Sequence, residues 1–129
     1  MVKEREQVAT DHSDRGLCAT YLAAMEVLAK PWTGLLMVVL DDGPLRFSEL
    51  SGRVPDIADR MLAARLKELE NRKLVERCVH PGPPVRVTYA LTEVGRGYRE
   101  VAGAIGRWGA LILRENAKDA APKRARRAG

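Results

Sequence analysis

Beyond Lys73 the spacing of apolar residues switches from a helical period to a strand-like alternation, and this switch constrains the fold more than any other feature. Leu74 to Val79 and Val85 to Leu91 are rich in β-branched residues and partly alternating, with HPGPP, His80 to Pro84, as a turn between them. A mostly helical chain therefore carries one β-hairpin with a proline-stiffened tip. Directly before it stands PDIADRMLAARLKELENRKLVER, Pro55 to Arg77. The stripe Leu62, Leu66, Leu69 within this stretch predicts a helix over about 58–73.

The upstream elements follow from similar signals. Leu17, Tyr21, Met25 and Leu28 fall at helical steps. Lys30 and Pro31 interrupt that helix, because the residue before a proline disfavours helical backbone. A second helix can begin at Pro31 or Trp32; its LLMVVL, Leu35 to Leu40, is apolar nearly all round and is expected at the centre of the core. DDGP, Asp41 to Pro44, ends it. LRFSELSGRV gives a short helix anchored by Phe47 and Leu50. Thr92 suits the N-cap of a last helical region, with Glu93 in its first turn. Two helices joined by a tight turn and followed by a hairpin describe a winged helix-turn-helix. The expected class is α+β, mainly helical, with a two-stranded wing and terminal dimerisation helices.

A chain of 129 residues is one domain's worth. Residues 1–14 are expected to be a flexible arm, 15–116 the folded domain and 117–129 a disordered basic tail. The net charge of +5 invites a nucleic-acid reading, but the residues from Lys118 onward carry all of it except about one unit. The folded part must therefore be judged by where its charges sit. The tail reads either as an element of nonspecific DNA affinity or as a solubilising segment. Cys18 and Cys78 show neither metal-site nor disulfide-framework spacing, so a reducing compartment is expected. The polar N-terminus lacks a signal-peptide core, and LLMVVL is far too short for a membrane span, so the cytoplasm is the expected location.

On the 58–73 helix, the side opposite the leucines carries Arg60, Ala64, Lys67 and Asn71, with Ala63 at its edge and Arg65 on the flank of the leucine stripe. Small residues between cations suit a major groove about 12 Å wide. Alanines permit close approach and can touch thymine methyl groups, while Arg60 can reach guanine O6 and N7. Lys67 and Arg65 are better placed for phosphates. The competing reading is a solvated face that happens to hold two good helix formers. Asp59 repels phosphate unless it caps the helix or accepts from cytosine N4.

MEVLAKPWTGLLMVVLDDGPLRFSELSGRVPDIADRMLAARLKELENRKLVER, followed by VRVTYALTEVGR, resembles the HxlR-type regulators, a branch of the MarR-like winged-helix proteins. The likeness covers about 18–108 and rests on GPLRFSEL, ADRMLAARLKELE with LVER, and YALTEVGR together. It implies a bacterial transcription factor that binds double-stranded operator DNA as a homodimer, without catalytic activity. It also implies a recognition helix at 58–71, a positioning Arg46 at the start of the preceding helix, and a wing at 80–86 with Arg86 near the DNA backbone or minor groove. Ser48 joins Arg46 as a candidate DNA contact. Ala58 stands where the family often has a capping serine, which moves capping to Asp56 or Asp59. Many relatives carry a cysteine before the first helix that in some senses oxidants. Cys18 lies one residue out of that register and is followed by Ala19 where proline is usual.

Gly103, Gly106 and Gly109 repeat at steps of three, each costing about 1 kcal/mol in a helix interior. Close packing in a dimer offsets that cost; a frayed helix is the other reading. Leu17, Val101, Ile105, Trp108 and Ile112 are the expected dimer interface, since such a stripe left exposed would be a liability. Tyr21, Met25, Trp32, Met37 and Trp108 could line a small-molecule effector pocket, or simply form core. Cys18 reads either as an inert buried thiol or as a redox sensor, which needs an exposed, electropositive setting. No phosphate loop, zinc motif or nucleophile elbow occurs, and no enzyme, metal, cofactor or membrane role is expected. Two functions stand: a dimeric operator-binding regulator, expected to be a repressor of an inverted repeat released by a small-molecule or redox signal, and a winged-helix module for protein–protein contact whose tail is its only DNA-binding element.

Overall fold

The computed structural model describes residues 13–128, with side-chain surroundings from 16 to 119. Helix α1 spans Ser13–Leu28 and α2 Thr33–Leu40, the two meeting at 84°. The elbow forms at Lys30 and Pro31, as the proline predicts, and Trp32 precedes α2 in a left-handed conformation at φ 75°. Most of the expected arm, 1–12, lies outside the described residues.

Helix α3 covers Phe47–Arg53 and α4 Asp59–Asn71, joined by a turn whose Val54 and Ile57 are buried. Leu50, Leu62, Leu66 and Leu69 close the space between the two helices with Leu36, Met37 and Leu40 of α2. Each such side chain contributes about 1.5–3 kcal/mol on full burial. LLMVVL is not buried all round: Leu35 and Val38 are 47% and 45% exposed. Leu35 and Val38 form an open strip on an otherwise packed helix.

Strands β1, Val75–His80, and β2, Arg86–Leu91, pair antiparallel from Val75 opposite Leu91 to His80 opposite Arg86. Leu45 adds a short third lane, exchanging two backbone hydrogen bonds with Tyr89 at 3.0 and 2.8 Å. Helix α4 stops where Lys73 turns left-handed, at φ 63°. The Leu74 N–H then bonds the Leu69 carbonyl and the Lys73 N–H the Glu70 carbonyl, which is the Schellman pattern with lysine in the usual glycine place.

Thr92 does cap the next helix: its hydroxyl accepts from Gly95 N–H at 3.1 Å and donates to the Lys73 carbonyl at 2.8 Å. That helix, α5, is short, Glu93–Arg96, and α6 restarts at Tyr98 and runs to Ala128. The backbone of α6 is helical past Ala117, where a basic tail was expected to begin. Helix α6 is also continuous through its three glycines, so the frayed reading fails.

Candidate nucleic-acid interface

Helix α4 presents Arg60, Ala63, Ala64 and Lys67 to the exterior, all exposed, while Leu62, Leu66 and Leu69 point inward. The face read from the spacing therefore exists as a surface. Its first turn is not capped by Ala58, whose methyl offers no acceptor, and Asp56 supplies no cap bond either. Asp59 opens the helix, where a carboxylate is favoured by the helix dipole. Its Oδ1 accepts from Ser51 Oγ of α3 at 3.1 Å, a partnership the sequence reading missed. Only the fold brings together two residues eight positions apart on different helices.

Arg46 and Ser48 are exposed at the start of α3. The Arg46 N–H donates to Glu49 Oε1 at 2.8 Å, which closes the first turn and leaves the guanidinium outside it. Arg86 is exposed where β2 leaves the wing tip. Opposite it, His80 Nε2 and Thr88 Oγ1 share a hydrogen bond of 2.9 Å that stiffens the hairpin near its end. These groups surround one helix end, one helix face and one hairpin, the three parts from which such domains contact a duplex.

Arg65 corrects the sequence reading. It is 8% exposed; its Nε donates to the Pro31 carbonyl at 3.0 Å and its Nη1 to Glu68 Oε1 at 3.0 Å. A guanidinium committed to these partners is not presented to phosphate. Its position on the flank of the leucine stripe left the direction open, and the uncovered Pro31 carbonyl of the elbow drew it inward.

The five residues suggested for an effector pocket do not converge. Tyr21 and Trp108 are 60% and 65% exposed, whereas Met37 lies in the core. An apolar cavity of about 230 Å³ does lie between α1, α2 and α6, walled by Val27, Leu28, Met37, Leu74, Tyr98 and Val101. Burial there raises the Tyr98 phenol above its ordinary value. Cys18 is exposed in the single chain, and Cys78 is half-buried on β1. Among the described residues, no cluster of His, Cys, Asp or Glu could hold a metal ion, and no single helix is long and apolar enough to cross a membrane.

Leu17, Val101, Ile105, Trp108 and Ile112 are all exposed. Among the described residues, nothing lies within 4 Å of a Cβ built at Gly106 or Gly109. Among the described residues, none covers this stripe.

A short helix, a buried turn, a second helix with an open face of cations and small residues, and a hairpin beside them define a winged helix-turn-helix, and the family this chain matches is one of DNA-binding transcriptional regulators. More narrowly, the chain belongs to the HxlR-like helix-turn-helix family, whose profile matches residues 27–117. It is 45% identical over 92 residues to the HTH-type transcriptional regulator YodB of Bacillus subtilis (strain 168), covering 71% of this chain and 82% of that protein. The crystal structure of quinone-bound YodB from B. subtilis superposes with a TM-score of 0.65 at 40% identity, over 73% of this chain and 99% of that one. The redox regulator HypR in its oxidized form gives 0.66 at 34% identity, over 70% and 94%.

Proposed function

We propose that the protein represses transcription in the cytoplasm by binding an inverted-repeat operator as a homodimer, and that a small-molecule or redox signal releases it. The observation that carries the operator reading is the open face of α4. Arg60, Ala63, Ala64 and Lys67 stand exposed together on α4, with Arg46 and Ser48 exposed at the start of α3 and Arg86 exposed at the start of β2. Arg60 reads a guanine edge, the alanines sit against thymine methyl groups, and Lys67, Arg46, Ser48 and Arg86 engage the backbone. Asp59, with one oxygen committed to Ser51, keeps its second oxygen for an acceptor role such as cytosine N4.

The dimer reading is supported by the uncovered stripe on α6 and by Leu17 on α1. Helix α6 has 31 residues and so extends about 46 Å, far beyond what its own domain covers. Two copies joined along α1 and α6 would present two α4 helices about 34 Å apart, one turn of duplex. For the signal, the exposed thiol of Cys18 is the receiving group for an oxidant or electrophile. The relatives whose structures are of quinone-bound and oxidized forms favour that choice.

The decisive experiment is selection of preferred sequences from random duplex DNA, followed by shift assays on the selected site with full-length protein and with residues 118–129 deleted. Sequence preference is expected to survive the deletion. Loss of all DNA binding on deletion would instead favour a protein–protein module with a basic tail. Cys18→Ser should abolish release by diamide or a quinone while leaving operator affinity unchanged.

A further inference from the structure

We infer that Arg65 is a positioning residue: it locks the recognition helix to the elbow between α1 and α2, so that the pose of α1 in the dimer dictates the pose of α4 on DNA. The inference rests on the dimer reading above and assigns it a mechanical link.

Two side chains of α4, Arg65 and Glu68, reach the elbow, and Arg72 just past the helix reaches α1. Arg65 bonds the Pro31 carbonyl and Glu68; Glu68 also meets Lys30 at 3.4 Å; Arg72 meets Glu26 of α1 at 3.6 Å. The exposed pairs of this group hold geometry weakly. Arg65 differs because it is buried. A buried cation deprived of its partners is strongly unfavourable, so the elbow carbonyl and Glu68 must stay where the guanidinium finds them. The planar fork gives two bonds of fixed relative direction, which a lysine ammonium does not reproduce. The bonded partner is itself stiff: Pro31 fixes its own φ, and Trp32 follows in the left-handed region.

The rest of α1 leans little on the domain. Leu17, Tyr21 and Leu22 are exposed on it, and α1 departs from α2 at 84°. Rotation of α1 by a partner copy, or by chemistry at Cys18, is therefore felt by α4 mainly through the elbow. Arg65 is where that rotation is handed on.

The test uses duplexes carrying two copies of the half-site selected by this protein, with the spacing changed one base pair at a time, about a tenth of a turn each. Full-length wild type, Arg65→Met, Arg65→Lys and Glu68→Ala are compared, together with a single half-site. Wild type should prefer one spacing, losing about tenfold in affinity for each displaced base pair, the order of a mismatched site. Arg65→Met should bind the single half-site within about threefold of wild type, yet show a spacing profile flattened to about threefold or less, with Arg65→Lys and Glu68→Ala between. If Arg65→Met does not fold, Glu68→Ala, altered at a partly exposed position, carries the comparison. A spacing profile unchanged in the folded variants overturns the inference and leaves Arg65 as a stability brace. Uniform loss at every spacing and on the single half-site, with the salt slope reduced by about one, also overturns it, because that is the signature of a phosphate contact. If wild type itself shows no preferred spacing, the dimer reading fails first and the inference falls with it.

Discussion

Ser51 Oγ donates to Asp59 Oδ1 at 3.1 Å, so the first residue of α4 is held by the helix before it. The bond leaves the free N–H groups of the first turn without a side-chain cap, but it ties the start of α4 to α3. Ser51→Ala and Asp59→Ala should each lower unfolding free energy by about 1 kcal/mol in urea titration. The double variant should lose clearly less than the sum, because both changes remove one interaction. Full additivity would show that the two residues act independently.

Arg60 and Arg86 should fail in different ways. Arg60→Ala is expected to weaken operator binding by about 1–3 kcal/mol and to relax preference at one base position. Arg86→Ala should weaken operator and unrelated duplexes alike and reduce the salt slope by about one. Shift assays over a series of salt concentrations separate the two. Unchanged operator affinity in Arg60→Ala would remove α4's exposed face from the groove.

Two backbone positions have opposite expectations. Lys73 sits at φ 63°, a conformation costing roughly 1–2 kcal/mol for a residue with a Cβ. Lys73→Gly should therefore raise stability by about 0.5–1 kcal/mol after the added freedom of the unfolded chain is counted. Gly95 faces the Leu74 carbonyl so closely that a Cβ there collides with it. Gly95→Ala should destabilise by about 1–3 kcal/mol, read from the same denaturation curves.

The uncovered stripe of α6 gives a prediction about assembly. Ile105→Glu and Trp108→Glu alter side chains exposed in the single chain, so secondary structure by circular dichroism should persist. Sedimentation should shift from dimer to monomer, and operator affinity should fall with it. A dimer that survives both changes would place the interface elsewhere.

Tyr98 links stability to alkaline pH. Its phenol is held above the ordinary value by burial, so the folded chain keeps that proton when the unfolded chain has released it. The contribution is therefore intact below about pH 10 and is lost as pH rises through the folded value. Tyr98→Phe should be less sensitive than wild type between about pH 9 and 11 in urea titrations. An identical pH dependence would show that the phenol does not titrate differently in the fold.

Much of this molecule is legible in its residue order. The leucines of α4, the proline at the elbow, the turn between two β-branched runs and the cap at Thr92 each act locally, within a few positions, and each is where the sequence puts it. The exposed face of α4 was readable for the same reason, since helical spacing alone separates it from the leucines. What was not readable depends on contacts between distant segments. Arg65 sits at an angle from which it could reach solvent or elbow, and only the packed Pro31 carbonyl decides. Aromatic residues at helical spacing suggested a pocket, but Tyr21 and Trp108 project from helix surfaces that the chain leaves uncovered. Of the five suggested residues Met37 alone lines the cavity, beside Tyr98 and aliphatic residues that carry no distinctive sequence signal.

The paired hydrogen bonds between Leu45 and Tyr89 make the hairpin an extension of the segment that leads into α3. Strand and helix thus share one frame, and the wing cannot be re-aimed without disturbing the helix-turn-helix. Length can vary freely only at the far end, between His80 and Arg86, beyond the last paired rung. Descendants of this chain could reshape the surface at that end by lengthening or shortening the tip alone, while inheriting the angle between hairpin and α3 unaltered.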